Sequence, residues 1–203
     1  MKILLVGGTG LIGSAVIKLL SKKHEVILAT SSGKSGIKVD ITNIDSIKNM
    51  YKEIGQIDAV ACAASGNKLH FGDLLKSTEQ NYQDSFEAKL LSQINLVHCG
   101  IEYINPNGGS FTLISGVVER DPIRGGTAAA MVVGGLHGFV NSAAIELPRH
   151  IRINCIAPTI ITEAVEKFDG YFQGFKSVPV IDVANGYLKS IEGLQTGKIY
   201  KIE

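Results

Sequence analysis

Lys2-Ile3-Leu4-Leu5-Val6-Gly7-Gly8-Thr9-Gly10-Leu11-Ile12-Gly13 opens the chain with an apolar run that breaks into glycines. The run Lys2–Val6 has the pattern of a buried strand, and Leu11–Leu20 follows with apolar residues at helical intervals. Between them Gly8, Gly10 and Gly13 satisfy G-x-G-x-x-G, with a strand before the motif and a helix after it. Glycines in that setting permit a tight turn and bring backbone against a pyrophosphate, whose charge sits at the helix N-terminus. Gly7, Gly8, Thr9, Gly10, Leu11, Ile12 and Gly13 are therefore expected to cradle a dinucleotide. Close packing of helix on sheet is the other use such glycines have.

Outward from this loop, strand-like and helix-like stretches alternate. Glu25–Ala29, Ile37–Val39, Ala59–Ala63, Ser110–Ile114, Ile151–Ile156 and Lys198–Ile202 read as strands. Asp45–Ile54 reads as a helix capped by Asn43. A long helix follows Ser77-Thr78-Glu79-Gln80, where Ser77 and Gln80 have capping-box spacing, and runs to about Ile104. An uncharged helix spans Thr127 to Leu147 and is ended by Pro148, and Asp182–Glu192 is the last helix. Strands joined by crossover helices predict an α/β fold: a Rossmann-type, doubly wound, mostly parallel sheet with helices on both faces, in one domain over residues 1–203.

Composition narrows the function classes. Twenty Lys+Arg against nineteen Asp+Glu give a formal charge of +1, so bulk electrostatics favour neither nucleic acid nor an anionic membrane. Cys62, Cys99 and Cys155 are odd in number and widely spaced, which suits reduced thiols in a cytoplasmic protein, not a disulfide framework or a metal cluster. Gly125 to Ile145 carries no formal charge, but its glycines, Thr127, His137, Asn141 and Ser142 suit a buried helix better than hydrocarbon.

The end of the second strand bears on which dinucleotide binds. Ala29-Thr30-Ser31-Ser32-Gly33-Lys34 offers hydroxyls and a lysine, and no carboxylate lies between Glu25 and Asp40. An NAD site places an acidic residue there to hold the ribose 2′-hydroxyl. Thr30, Ser31, Ser32 and Lys34 instead tolerate a 2′-phosphate, so NADP(H) is favoured over NAD(H). A solvated turn with an incidental Lys34 is the competing reading.

With these pieces placed, the chain resembles the short-chain dehydrogenase/reductase family over nearly its whole length. The resemblance rests on Gly7–Gly13, Val39-Asp40-Ile41-Thr42, Ala61-Cys62-Ala63-Ala64-Ser65, Leu113-Ile114-Ser115-Gly116, Gly134-Gly135-Leu136-His137-Gly138-Phe139 and Arg152-Ile153-Asn154-Cys155-Ile156-Ala157-Pro158. It implies that Asp40 and Ile41 flank the adenine, that Cys62, Ala63 and Ala64 line the cofactor, and that Pro158 borders the nicotinamide. It also implies a homodimer or homotetramer, paired through the helices around 79–104 and 127–147.

The family's catalytic group is an Asn, a Ser and a Tyr-x-x-x-Lys. Ser115 fits the Ser, whereas the Asn position falls near Glu87, the Tyr position on Ala129 and the Lys position on Val133. None of the six tyrosines is followed four residues later by a lysine. The resemblance is thus to a short, divergent branch without the usual proton donor.

Few groups remain for chemistry. Ser115 could hydrogen-bond a substrate carbonyl or merely cap a strand. His70, on the loop after the fourth strand, has a suitable intrinsic pKa but is equally a solvated loop residue. His137, inside the uncharged helix, reads as a packed or interface residue. Glu119, Arg120, Asp121 and Arg124 read as a solvated cluster, with Arg124 the candidate for gripping a substrate carboxylate. Phe168, Tyr171, Phe172 and Phe175, beside Gly170 and Gly174, suit either a substrate lid or packing over the sheet edge. Two functions stay open: an NADP(H)-dependent oxidoreductase for a small carbonyl or alcohol, and a dinucleotide-binding redox-sensing or interaction protein without turnover.

Overall fold

A computed structural model describes residues 1–203. The chain forms β1 (Lys2–Val6), α1 (Leu11–Leu20), β2 (Glu25–Thr30), β3 (Ile37–Lys38), α2 (Ile44–Ile54) and β4 (Ala59–Cys62). It continues with α3 (Glu79–Ser85), a π-helical turn (Phe86–Leu91), α4 (Ser92–Gly100), β5 (Ser110–Ile114), α5 (Thr127–Glu146), β6 (Arg152–Pro158), α6 (Val180–Glu192) and β7 (Lys198–Ile202). Short 3₁₀ turns lie at Leu74–Lys76, Ile101–Tyr103 and Thr162–Phe168.

The seven strands form one sheet in the order β3-β2-β1-β4-β5-β6-β7. Every neighbouring pair is parallel. The order reverses between β1 and β4, so the carboxyl ends of these strands open a crevice where such sheets bind ligands. Strands covered by helices on both faces must be apolar throughout, and β4 and β5 are buried at every residue. α1 packs against α6 on one face, and α2, α4 and α5 cover the other.

Most boundaries match the sequence expectations within one or two residues, and the differences have local causes. β6 runs two residues further, because Pro158 still pairs with Ile202 at the strand's end, where its missing N–H costs nothing. The long helix is capped one residue later than the Ser77–Gln80 spacing suggests. Thr78 Oγ1 accepts from the Asn81 N–H (3.3 Å), while Asn81 Oδ1 accepts from the Thr78 N–H (2.9 Å). Ser77 closes the preceding 3₁₀ turn instead, its hydroxyl donating to the Asp73 carbonyl (3.0 Å).

Nor is that helix uniform. The π-turn interrupts it, and just beyond it the buried Gln93 of α4 ties the helix to the sheet: its amide donates to the Ile114 carbonyl (2.9 Å) as well as to the Lys89 carbonyl (3.1 Å), and it accepts from the Ile114 N–H (2.9 Å). A wide turn rotates the side chains that follow, and such turns gather at functional sites. Phe86, on the apolar face of a regular helix, is left 40% exposed, while Ala88, Lys89 and Leu90 turn inward.

Candidate active site

The glycine loop leaves β1 with Gly7 at φ +86°, its N–H bonded to the Ala29 carbonyl of β2 (2.9 Å). A Cβ on Gly13 would collide with the Gly7 carbonyl, so that glycine serves close packing. At Gly10 a Cβ would meet nothing nearer than the Gly7 carbonyl oxygen, 3.6 Å away. Gly10 therefore leaves room for something outside the protein. It also caps α1 without a side-chain hydrogen bond, which leaves the first N–H groups of that helix free to meet an anion.

In front of the loop lies a cleft of about 510 Å³, walled by Gly7, Thr9, Gly10, Thr30, Ser31, Asp40, Ile41, Ala63 and Ala64 among others. Asp40 is occupied locally: its carboxylate accepts from Thr42 Oγ1 (2.7 Å) and from the Thr42 N–H (2.9 Å), and these bonds hold its pKa low. Eight expected cofactor residues stand off this wall: Gly8, Gly13, Ser32, Lys34 and Cys62, together with Leu11, Ile12 and Pro158. Cys62 is fully buried with its thiol donating to the Ala64 carbonyl (3.4 Å), because the strand's alternation turns it inward. Ser32 and Lys34 lie beyond the cleft on a turn, where Ser32 Oγ accepts from the Lys34 N–H (3.3 Å).

A second cavity, of about 570 Å³, shares Ala63 with the cleft and opens beyond β5. Leu11, Ile12 and Pro158 border it, and Phe71, Val117, Val118, Ile160, Phe168 and Phe172 give it apolar walls. Ala129 and Val133 are buried and line it, so part of this room is space that a Tyr and a Lys there would fill. Phe168 and Phe172 meet edge to face (centroids 5.9 Å apart), and the segment carries Gly170 and Gly174 at positive φ.

Ser115 stands at the cavity wall with a hydrogen-bonded chain behind it. Its Oγ lies 2.7 Å from His137 Nε2, and His137 Nδ1 lies 2.7 Å from Glu119 Oε1. Burial pushes the His137 pKa down, Glu119 pulls it partly back, and Arg120 and Lys201 push it down again; the net shift is downward. Neutral imidazole with its Nδ1–H on the Glu119 carboxylate leaves Nε2 to accept the Ser115 proton. The Ser115 hydroxyl can turn instead to the Ile156 carbonyl (3.2 Å) when Nε2 is protonated. Glu119 is partly exposed, so the chain runs from the cavity wall to solvent.

Neither partner of Ser115 was singled out for this role from the sequence, which has His137 packing and Glu119 solvated. A signal was present: Ala129, Val133 and His137 recur every four residues, on one helical face directed at Ser115. Lys89 is the other residue missed, buried in the π-turn and lining the cavity.

The remaining candidates lie elsewhere. His70 is not on the cavity wall; its ring bonds Ser77 Oγ (3.2 Å), its N–H donates to Ser85 Oγ (3.0 Å), and its neighbours Leu69 and Phe71 face the cavity instead. Arg124 is exposed on a turn and does not reach the cavity. The cationic side chains on the cavity wall are Lys89 and Lys167.

Comparison with known proteins accords with this geometry. Residues 10–179 match the family model described as enoyl-(acyl carrier protein) reductase. The crystal structure of protein lin1944 from Listeria innocua superposes with a TM-score of 0.96 at 44% identity, covering 100% of both chains. The 3-oxoacyl-[acyl-carrier-protein] reductase FabG of Buchnera aphidicola is 27% identical over 192 residues, 83% of this chain and 78% of that protein. A small-chain dehydrogenase solved in complex with NADPH shares the fold, with a TM-score of 0.86 at 22% identity over 100% of this chain and 96% of that one. For several further curated relatives the matched stretch takes in only 39% to 42% of their length.

Proposed function

The chain belongs to the short-chain dehydrogenase/reductase family, and on that premise we propose that it is an NADP(H)-dependent oxidoreductase acting on a small, apolar carbonyl or alcohol. The observation that carries this reading is the Ser115–His137–Glu119 chain, set at the wall of an apolar cavity that joins the glycine cleft. The cleft fits a dinucleotide on its own terms: Gly10 is bare, the N-terminus of α1 is open, and Thr30 and Ser31 present hydroxyls where an NAD site would present a carboxylate. The NADPH bound by the related small-chain dehydrogenase supports the same preference.

A bound nicotinamide supplies or accepts the hydride. The chain's own residues then manage one proton. In alcohol oxidation, Ser115 Oγ accepts the substrate proton while its own passes to neutral His137 Nε2, and Glu119 stabilises the imidazolium. In carbonyl reduction the same steps run backwards, and the imidazolium must be formed first. Reduction therefore weakens as pH rises through the lowered His137 pKa, and oxidation strengthens.

Buried Ala129 and Val133 favour a second reading, a dinucleotide-binding protein without turnover. One experiment separates the two: NADPH and NADH binding by fluorescence, then oxidation of NADPH with a panel of aliphatic and alicyclic ketones and aldehydes. NADPH-preferring binding with turnover is the expected result. Tighter NADH binding would sink the cofactor preference, and binding without turnover across the panel would favour the second reading.

We further propose a cytoplasmic homodimer or homotetramer. Phe86 and Met131 are 40% and 46% exposed on the π-turn and α5, giving apolar surface to a partner copy. A monomer in sedimentation at micromolar concentration would remove the oligomer.

A further inference from the structure

Lys89 buries an amine that nothing in the chain answers. It is 7% exposed, it lines the apolar cavity, and none of the chain's ion pairs includes it. Its side-chain amine has no hydrogen-bond partner; only its backbone carbonyl is bonded, accepting from Gln93 Nε2 (3.1 Å). An unpaired ammonium in apolar surroundings is costly: such a group shifts its pKa toward the neutral form or is stabilised by a partner. The π-turn is what brings Lys89 inward, at the expense of exposing Phe86.

The groups facing it are few. Cys62 on β4 and Cys155 on β6 are both neutral thiols, pushed up by burial, Cys155 to about 12. Ser115 and Lys89 both line the cavity. His137 lies behind Ser115, and Glu163 and Lys167 stand on the wall formed by the 3₁₀ turn Thr162–Phe168. Burial lowers the Lys89 pKa, and no carboxylate is paired with its amine.

We propose that Lys89 is the cationic donor that holds the reacting oxygen of an otherwise apolar substrate and stabilises the charge developing there. This deepens the oxidoreductase reading and rests on it. As hydride joins the carbonyl carbon, the π-electron pair moves to oxygen; Lys89 hydrogen-bonds that oxygen and keeps its own proton. Ser115 delivers the proton that completes the alcohol, and His137 returns one to Ser115. The substrate class follows from the walls: a medium-chain or alicyclic ketone, or the matching secondary alcohol, with one oxygen head and no further charge.

Lys89→Met tests this, since a thioether of similar length suits the apolar wall and preserves the fold. Two readouts are taken, ketone reduction with NADPH and calorimetric binding of hexanoate, a carboxylate that stands in for the charged oxygen without turnover. The expected result is a loss of about 10² to 10³ in kcat, as for removal of one oxyanion donor, with NADPH affinity retained. Hexanoate binding should weaken at least about tenfold, that is, by about 1.4 kcal/mol. Lys89→Arg should restore part of both, and Lys52→Ala, on the exposed face of α2, should leave hexanoate binding unchanged.

Equal hexanoate affinity in wild type and Lys89→Met overturns the proposal even if ketones are reduced. So does a loss of NADPH affinity with hexanoate binding kept, which would assign Lys89 to the cofactor. If wild type reduces no ketone while hexanoate binding still depends on Lys89, the oxidoreductase reading falls and the oxygen-binding role stands.

Discussion

The cleft in front of the glycine loop and the cavity beyond β5 share the wall residue Ala63 but are made of different material. The cleft is largely backbone: Gly7, Gly10 and the open end of α1 come from one continuous stretch. The cavity is side chain: Ser115 on its wall is backed by His137 of α5 and Glu119 of the loop after β5, and Lys89 comes from a π-turn. The difference teaches where each activity is vulnerable. On the proposed reading, cofactor binding would depend on the absence of atoms at a few positions, whereas proton handling would depend on a few polar atoms in an apolar chamber.

The most disruptive test of that contrast is Gly13→Val. Its side chain would strike the Gly7 carbonyl and the Gly8 backbone, which cannot yield as a flexible side chain does. Loss of NADPH binding together with a fall in Tm of several degrees is expected, from an overpacking cost of about 1–3 kcal/mol or more. Fluorescence titration and thermal melts read both.

Next in size is Ser115→Ala, which should lower kcat by about 10² to 10⁴, the usual worth of a positioned proton carrier. NADPH affinity should not change, because Ser115 lines the cavity and not the cleft. Cofactor affinity falling in step with kcat would break the division of labour.

Gly10→Ala is the sharpest test of the cleft. With open space at its Cβ and a φ of −77°, alanine should alter stability by less than about 1 kcal/mol. The added methyl nonetheless stands where a pyrophosphate would approach, so NADPH binding should weaken about tenfold, or about 1.4 kcal/mol. Unchanged affinity would mean that Gly10 serves the turn alone.

Glu119→Gln should have the smallest effect on rate and a distinct effect on pH. Glu119 raises the His137 pKa against burial, so its removal lowers that pKa further and moves the reduction profile toward acid. Wild-type stability follows the same sign. With its folded pKa below the usual 6.5, His137 contributes stability that is full above that value and is lost as pH falls through the window beneath it. Histidine NMR titration and melts across that range measure both.

The legible parts of the molecule are those encoded by neighbours in sequence. Alternating strand and helix patterns, the glycine loop and Ser115 at the end of β5 all depend on short-range spacing. Less legible were residues whose role depends on what another element brings near. His137 looked like packing because its partners lie 18 and 22 residues before it, brought near only when α5 folds back onto β5. Arg124, charged and near Ser115 in sequence, reads as part of a solvated cluster or as a substrate clamp, and its turn carries it into solvent. Lys89 gave no sign, because a regular helical period does not reveal a π-turn.

By itself, then, the sequence determined a parallel α/β sheet with a glycine cradle at its switch point, because backbone turns and strand burial are set by local residue type and period. It also shows no Tyr-x-x-x-Lys, and the resemblance implies that those positions fall on Ala129 and Val133. Only the tertiary structure decided what stands in the space they leave: a Ser115–His137–Glu119 proton chain and the buried, unpaired amine of Lys89. The reason is physical. A charge or a proton path is defined by desolvation and by distances of about 3 Å between residues far apart in the chain, and neither quantity exists until the elements pack.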